Sequence, residues 1–185
     1  VVTESGRVDL VEDESGTLPG LQWPIGFVNF RQAVNYAAWL SESTGQKWRI
    51  LNEFEWEKAA RGVDARLYPW GNSFTPSWCN MELSREQKSP IDVDSCPVDC
   101  SVYGVRGMGG NIAQWTSSEW DPKLHVGGYQ TVPDQTPAET ENVLRAFRGG
   151  CWMLPDVFSR VSNRIGFHET DGVAHVGFRV GRDIL

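Results

Sequence analysis

Histidine and methionine are scarce in this chain, three of each among 185 residues, and cysteine occurs four times. Each shortage narrows the reading. No apolar run approaches the roughly 20 residues of a bilayer-spanning helix, so no membrane span is expected. Basic residues are outnumbered, 17 Lys and Arg against 24 Asp and Glu, for a formal charge of −7, and no Lys/Arg run is visible. A surface of that sign repels phosphates, so nucleic acid is not an expected partner. Cys96-Pro-Val-Asp-Cys100 has the wrong spacing for a CxxC redox pair or zinc knuckle. The four cysteines, Cys79, Cys96, Cys100 and Cys151, therefore read as buried free thiols. No signal-peptide pattern opens the chain, and Val1 is not a methionine. The expectation is a processed chain or a piece of a larger one, with the cytoplasm as the favoured compartment.

Tryptophan and glycine are plentiful, 9 and 19 residues. With 40% apolar and 22% charged residues, the composition is that of a globular protein with a real core. One domain over residues 1–185 is expected. Arg148-Gly-Gly-Cys-Trp152 and Gly177-Phe-Arg-Val180 organise it. The glycine pair permits close backbone approach, and Trp152 supplies an apolar anchor. Phe178 and Val180 alternate with Gly177 and Arg179, the pattern of a strand with one buried face. The unit reads strand, long loop, strand, with the Met153–Val176 loop as a surface site held by the two strands.

Upstream, Arg7–Val11 reads as a strand and Glu12–Gly16 as a solvated acidic turn. Asn29 with Gln32 and Asn52 with Glu55 are capping boxes, each opening a helix. Phe30, Val34, Ala37, Ala38, Trp39 and Leu40 recur at helical spacing in the first, and Phe54, Trp56, Ala59 and Ala60 in the second. Gly45 and Gly62 stop them, and Lys47–Leu51 is a short strand between. Arg66 to Asp99 is irregular, around a Tyr68-Pro-Trp-Gly71 turn, and needs a bound ion or a packed loop core to tie it down. Four glycines in the seven residues Gly104–Gly110 make a tight loop that Ile112, Trp115 and Trp120 lock to the core. No strand–GxxxxGK[ST]–helix pattern surrounds it, which argues against a phosphate cradle. Asp121–Glu141 is a polar loop with prolines at 122, 133 and 137. Two helices, short strands and many loops make an α+β fold.

The stretches Val34–Leu40, Gly45–Gly62, Tyr68–Gly71, Gly109-Gly-Asn-Ile-Ala-Gln-Trp-Thr116, Arg148–Trp152 and Gly177–Val180, in that order, resemble the formylglycine-generating enzyme (sulfatase-modifying factor) family. The resemblance covers roughly residues 22 to 182 and implies that family's variant of the C-type lectin fold, with the N-terminal part of the domain reduced to a stub. It also implies where catalysis should lie. The family's enzymes place two copper-binding cysteines at the positions of Leu154 and Ser159. Leucine has no ligand atom, and a hydroxyl is a poor ligand for a soft metal. Cys151 lies three residues before the first position. No catalytic residue and no cofactor are expected, and the oxidation has no thiolate centre. Calcium is not expected at the family's ion site either, where Gly107 and Gln114 stand in place of charged oxygens. A second ion site near Asn80 and Met81 would draw on Asp92 or Asp94.

Gly6–Leu10, Trp23-Pro-Ile, Ala59–Asp64, Pro97-Val-Asp99 and Tyr103–Gly107 look closest to the non-catalytic domains fused to bacterial serine/threonine kinases. No kinase motif occurs here, so a kinase would lie elsewhere on the chain or on another. The functional expectation is a binding module, without turnover, for a protein or small-molecule ligand in signalling. Its site residues are Trp152, Asp156, Phe158, Arg164, Phe167, His168, Asp171 and His175 on the closing loop. Each has a plainer reading: Phe158 as core, Arg164 as an internal ion pair, His168 and His175 as surface histidines, Glu169 and Asp171 as solvated charges. One alternative is a formylglycine-generating oxidase or another enzyme of the family. For an iron enzyme, His125, His168 and His175 lack tight ligand spacing. The other alternative is a hypervariable receptor of a diversity-generating retroelement, with variation over Trp152–Val180.

Overall fold

The computed structural model describes residues 20, 22–120 and 143–183. The expected Arg7–Val11 strand, the Glu12–Gly16 turn and the Asp121–Glu141 loop with His125 lie outside the described residues. In chain order come helix α1 (Phe30–Thr44), strand β1 (Trp48–Ile50), helix α2 (Glu53–Arg61) and a 3₁₀ turn (Pro76–Trp78). Then follow β2 (Ala113–Glu119), β3 (Leu144–Arg148), a second 3₁₀ turn (Asp156–Ser159), β4 (Ile165–His168), β5 (Val176–Phe178) and β6 (Val180–Arg182).

Both helices start where their caps require. The Asn29 side chain accepts the Gln32 N–H at 2.9 Å, and the Gln32 side chain accepts that of Asn29 at 2.9 Å. Asn52 accepts the N–H groups of Phe54 and Glu55 at 3.0 and 2.9 Å, and Glu55 returns the bond at 2.9 Å. Glu55 is a cap, and it also grips Arg49 at 2.6 Å. Gly45, at φ 66°, closes α1 in the left-handed conformation that a side chain would strain. Because Asn52 is buried and serves two donors, Asn52→Ala is expected to cost about 1–2 kcal/mol, read as a lower urea midpoint at unchanged slope.

The main sheet has the order β4-β3-β2-β5. β2 pairs antiparallel with β3 and parallel with β5, and β3 pairs antiparallel with β4. β1 and β6 form a separate antiparallel ribbon. Phe30, Ala33 and Ala37 of α1 pack with Ile50, Trp115, Phe147 and Val176 in the larger apolar core. Trp56, Ala60, Met108 and Val161 make a smaller one beneath α2. The helical spacing overreached at three positions: Trp39 is 57% exposed, Phe54 is 50% exposed and Ala38 is exposed as well. The irregular stretch after Arg66 is tied down by aromatic packing. Tyr68 and Trp70 stack at 5.2 Å, Phe74 leans on Tyr68, and Trp78 meets Trp70 edge-on at 6.2 Å.

Three strands depart from the sequence reading. β2 carries Gln114, Thr116, Ser117 and Ser118, yet all are buried. Its polarity hid it, and long-range partners make the burial tolerable. Thr116 donates to the Ala146 carbonyl at 2.7 Å, and Ser118 accepts the Glu53 N–H at 3.1 Å. β4 lies inside the segment expected to be a loop, in register with β3 from Leu144↔His168 to Phe147↔Ile165. Gly177–Val180 is not one strand: β5 ends at Phe178 and β6 begins at Val180 in the other sheet. Arg179, between them, donates to the Arg106 carbonyl at 2.7 Å.

Candidate functional site

The closing segment divides into two neighbourhoods. In the first, Trp152 is half-buried, its backbone N–H reaches the Asn111 carbonyl at 3.3 Å, and its indole N–H has no partner among the described residues. Asp156 and Phe158 are half-buried on the 3₁₀ turn that follows, and Met153 and Val157 beside them are exposed. In the second, β4 delivers Phe167 and His168, and the next turn delivers Asp171 and His175. Phe167 faces the core, 5.7 Å from the Phe147 ring and 6.5 Å from that of His175. His168 is exposed, and its carbonyl accepts the Asp171 N–H at 2.9 Å. Burial pulls the His175 imidazole below its ordinary pKa.

Arg164 joins neither neighbourhood. Its guanidinium forks onto Glu53 at 2.5 and 2.7 Å, tying the segment to the start of α2. Glu169 is fully buried, not solvated as its charge suggested. It accepts Arg145 at 3.0 Å and Arg31 at 3.2 Å. No local spacing announces these pairs, because the partners lie 24 to 138 positions apart.

Leu154 packs against the larger apolar core. Ser159 is fully buried, with its hydroxyl 3.8 Å from the Cys79 sulfur. Burial, the largest influence on both thiols, pushes Cys79 up to about 12 and Cys151 up to about 11. At neutral pH both carry their protons. All four cysteines are free; Cys79 and Cys151 are buried, as expected, whereas Cys96 and Cys100 are half-buried.

The glycine-rich loop is organised by a residue that sequence reasoning passed over. Asp99 is buried, and its carboxylate accepts the N–H groups of Met108, Gly109 and Gly110 at 2.9 to 3.3 Å. Its place just ahead of the loop was the available signal. Beyond the loop, Gln114 donates to the Gly107 carbonyl at 2.8 Å and accepts from Trp56 at 2.7 Å and Arg179 at 3.1 Å. Where a calcium ion would need converging oxygens, an amide and a guanidinium supply N–H donors instead, so these residues do not fit that ion. At the second expected ion site, Asn80 donates to the Ser89 carbonyl and to Asn111, both at 3.0 Å. Asp94 pairs with Arg106 at 2.9 Å. Among the described residues, no group of three or more His, Cys, Asp or Glu side chains could hold a metal.

A model of the sulfatase-modifying factor enzyme 1-like domain matches residues 11–184. The chain belongs to that family. The formylglycine-generating enzyme of Thermomonospora curvata is 28% identical over 176 residues, 88% of this chain and 56% of that protein. The inactive C-alpha-formylglycine-generating enzyme 2 of Bos taurus is 29% identical over 179 residues, 89% of this chain and 52% of that protein. The chain thus spans about half the length of these relatives. PvdO from Pseudomonas aeruginosa superposes with a TM-score of 0.76 at 31% identity, covering 89% of this chain and 64% of that one. Treponema denticola variable protein 1 shares the fold, with a TM-score of 0.70 at 19% identity over 97% of this chain and 76% of that one. At the two positions where the resemblance implies copper-binding cysteines, the residues of this chain do not fit copper. Leu154 and Ser159 offer no thiolate, and the buried thiols nearby stay protonated.

Proposed function

We propose that this chain is a non-catalytic binding domain of the sulfatase-modifying factor family, which takes a protein or small-molecule ligand on its closing segment. One observation carries the reading: the two positions where the resemblance implies copper-binding cysteines are a leucine packed on the apolar core and a fully buried serine. An oxidation that starts from a thiolate-bound metal has no point of attachment there. A relative whose name marks it inactive supports the same reading. The domain takes no cofactor of its own in this proposal.

The surface we favour combines Trp152, Asp156 and Phe158 with His168, Asp171 and His175. Arg164 and Phe167 brace the segment instead, the one through Glu53 and the other through Phe147. Such a mixture of rings and polar tips on a braced segment suits recognition more than turnover. We further propose that the domain serves a larger signalling protein, with a serine/threonine kinase as the favoured partner on the same or another chain. That step rests on the likeness of Trp23-Pro-Ile, Ala59–Asp64, Pro97-Val-Asp99 and Tyr103–Gly107 to kinase-fused domains. None of the helices among the described residues is long and apolar enough to cross a membrane.

The test supplies the full-length protein with copper and a sulfatase cysteine peptide and weighs the peptide by mass spectrometry. No aldehyde and no stoichiometric copper are expected; an aldehyde product would overturn the reading. A second arm maps a fragment library onto the protein by amide NMR shifts. Perturbations should gather at Asp156, His168 and Asp171, and a set of hits confined elsewhere would remove the surface. His168→Ala is the clean surface variant. Phe167→Ala is not, because it would strip a ring from the core as well.

A further inference from the structure

The main sheet has two edges, and the chain treats them differently. β5 forms one, and residues 25–28 pass round it. The Ile25 carbonyl lies over Gly177, where a Cβ would stand 2.3 Å away, and the Val28 carbonyl takes the Trp115 indole N–H at 2.8 Å on the other face. Between them the Phe27 N–H bonds the Val173 carbonyl at 3.0 Å. β4 forms the other edge. The Glu169 N–H reaches the Val143 carbonyl at 3.0 Å, while the next residue along, Leu144, gives its carbonyl to Trp120 of β2 at 2.8 Å. Antiparallel bonding alternates from residue to residue, so Phe167 and Ile165 exchange bonds with Arg145 and Phe147 of β3. Gly166 and His168 then direct their backbone groups away from the sheet. The His168 carbonyl turns back to the Asp171 N–H at 2.9 Å, which ends the edge. The Gly166 N–H and carbonyl and the His168 N–H are left without a partner among the described residues. Exposed edges are normally guarded by lysine, proline or a bulge. β4 reads Ile165-Gly-Phe-His168 and pairs with β3 in unbroken register, so it has none of these guards.

We propose that the β4 edge takes an extended, basic peptide segment of a partner protein as an added strand. Main-chain donors and an acceptor that point outward at strand spacing are matched by another main chain in extended form. Charge then selects among extended chains. A second copy of this protein would bring the same formal charge of −7 and be repelled, whereas a basic segment is attracted. The Trp120 ring adds an apolar contact. It is half-buried and covers Gly166 so closely that a Cβ there would stand 2.3 Å from it. A peptide residue opposite Gly166 sets its side chain beside that ring, where an apolar group fits. The added strand names the class of partner for the binding role proposed above and rests on that role.

The experiment titrates the intact protein with a synthetic peptide that alternates valine and lysine, and follows amide exchange by NMR. In the free protein Gly166 and His168 should exchange freely while Ile165 and Phe167 are protected. At saturation the two outward amides should slow by about tenfold or more. His168→Pro removes one outward N–H and leaves the bonds to β3 in place, so it should weaken the peptide by about tenfold. His168→Ala keeps that N–H and should bind the peptide as the native protein does. The same peptide with every backbone nitrogen methylated should not pair, a control that does not depend on how the proline variant folds. Protection of Gly166 and His168 in the free protein, equal binding of the methylated peptide, or an edge already closed by a dimer would overturn the added strand. Fragment hits at Asp156, His168 and Asp171 without any response to the peptide would sink the strand alone and leave the side-chain surface standing. Peptide pairing with fragment hits confined elsewhere would do the reverse.

Discussion

Glu169→Ala is expected to destabilise the fold by about 4 kcal/mol, enough to unfold a marginal domain at room temperature. Glu169 has no exposed surface, and Arg145, its partner at 3.0 Å, is 3% exposed. The Arg145 guanidinium also lies 4.8 Å from the centre of the Phe30 ring and donates to the Ser117 carbonyl at 3.1 Å. Truncating the carboxylate leaves that cation with one carbonyl, one ring face and the 57% exposed Glu119 carboxylate 4.0 Å away, which do not offset its lost hydration. The loss reaches past one pair, because Arg31 of α1 grips the same carboxylate and the Phe30 N–H bonds the Glu169 carbonyl at 3.1 Å. Glu169 is thus where α1, β3 and the end of β4 meet. Urea denaturation measures the cost. Replacing both partners together, Arg145→Leu with Glu169→Leu, should cost less than the single change, since no buried charge is stranded and Arg31 is 41% exposed. A single variant within about 1 kcal/mol of wild type would show that the carboxylate contributes nothing net.

Gly150→Ala carries the second large effect, about 3 kcal/mol of lost stability. A Cβ on Gly150 would lie 2.5 Å from the Gly109 carbonyl oxygen and 2.8 Å from the Ser159 hydroxyl. Neither neighbour can retreat. Gly109 is pinned by the Asp99 carboxylate on one side and the Trp70 ring on the other, where its own Cβ would be 2.6 Å from the ring. Ser159 is fully buried on its turn beside Cys79. A methyl group at Gly150 must therefore push apart the glycine-rich loop and the closing segment. Gly45→Ala supplies the contrast. Nothing lies within 4 Å of its Cβ, so only the backbone strain at φ 66° remains, worth about 1 kcal/mol. Thermal denaturation of the two variants side by side should separate close approach from strain. Equal losses at both sites would remove the steric argument.

Local chemistry was legible wherever cause and effect sit within one turn of chain. The capping boxes at Asn29 and Asn52, the stops at Gly45 and Gly62 and the short strand between the helices are contests among neighbouring residues, and they fall where the sequence places them. The family's motifs were legible for the same reason. Tertiary structure alone decided the rest. β2 could not be read because polar side chains such as Thr116 and Ser118 find their partners on other elements, and burial of that kind leaves no periodicity. Arg179 splits one apparent strand into two because its guanidinium is drawn to carbonyls across the fold. Glu169 reads as a solvent charge until Arg31 and Arg145 arrive from 138 and 24 residues away. The physical reason is common to all three. A one-dimensional pattern records what each residue prefers near its neighbours, while the fate of a buried charge depends on which distant partner the packed chain delivers.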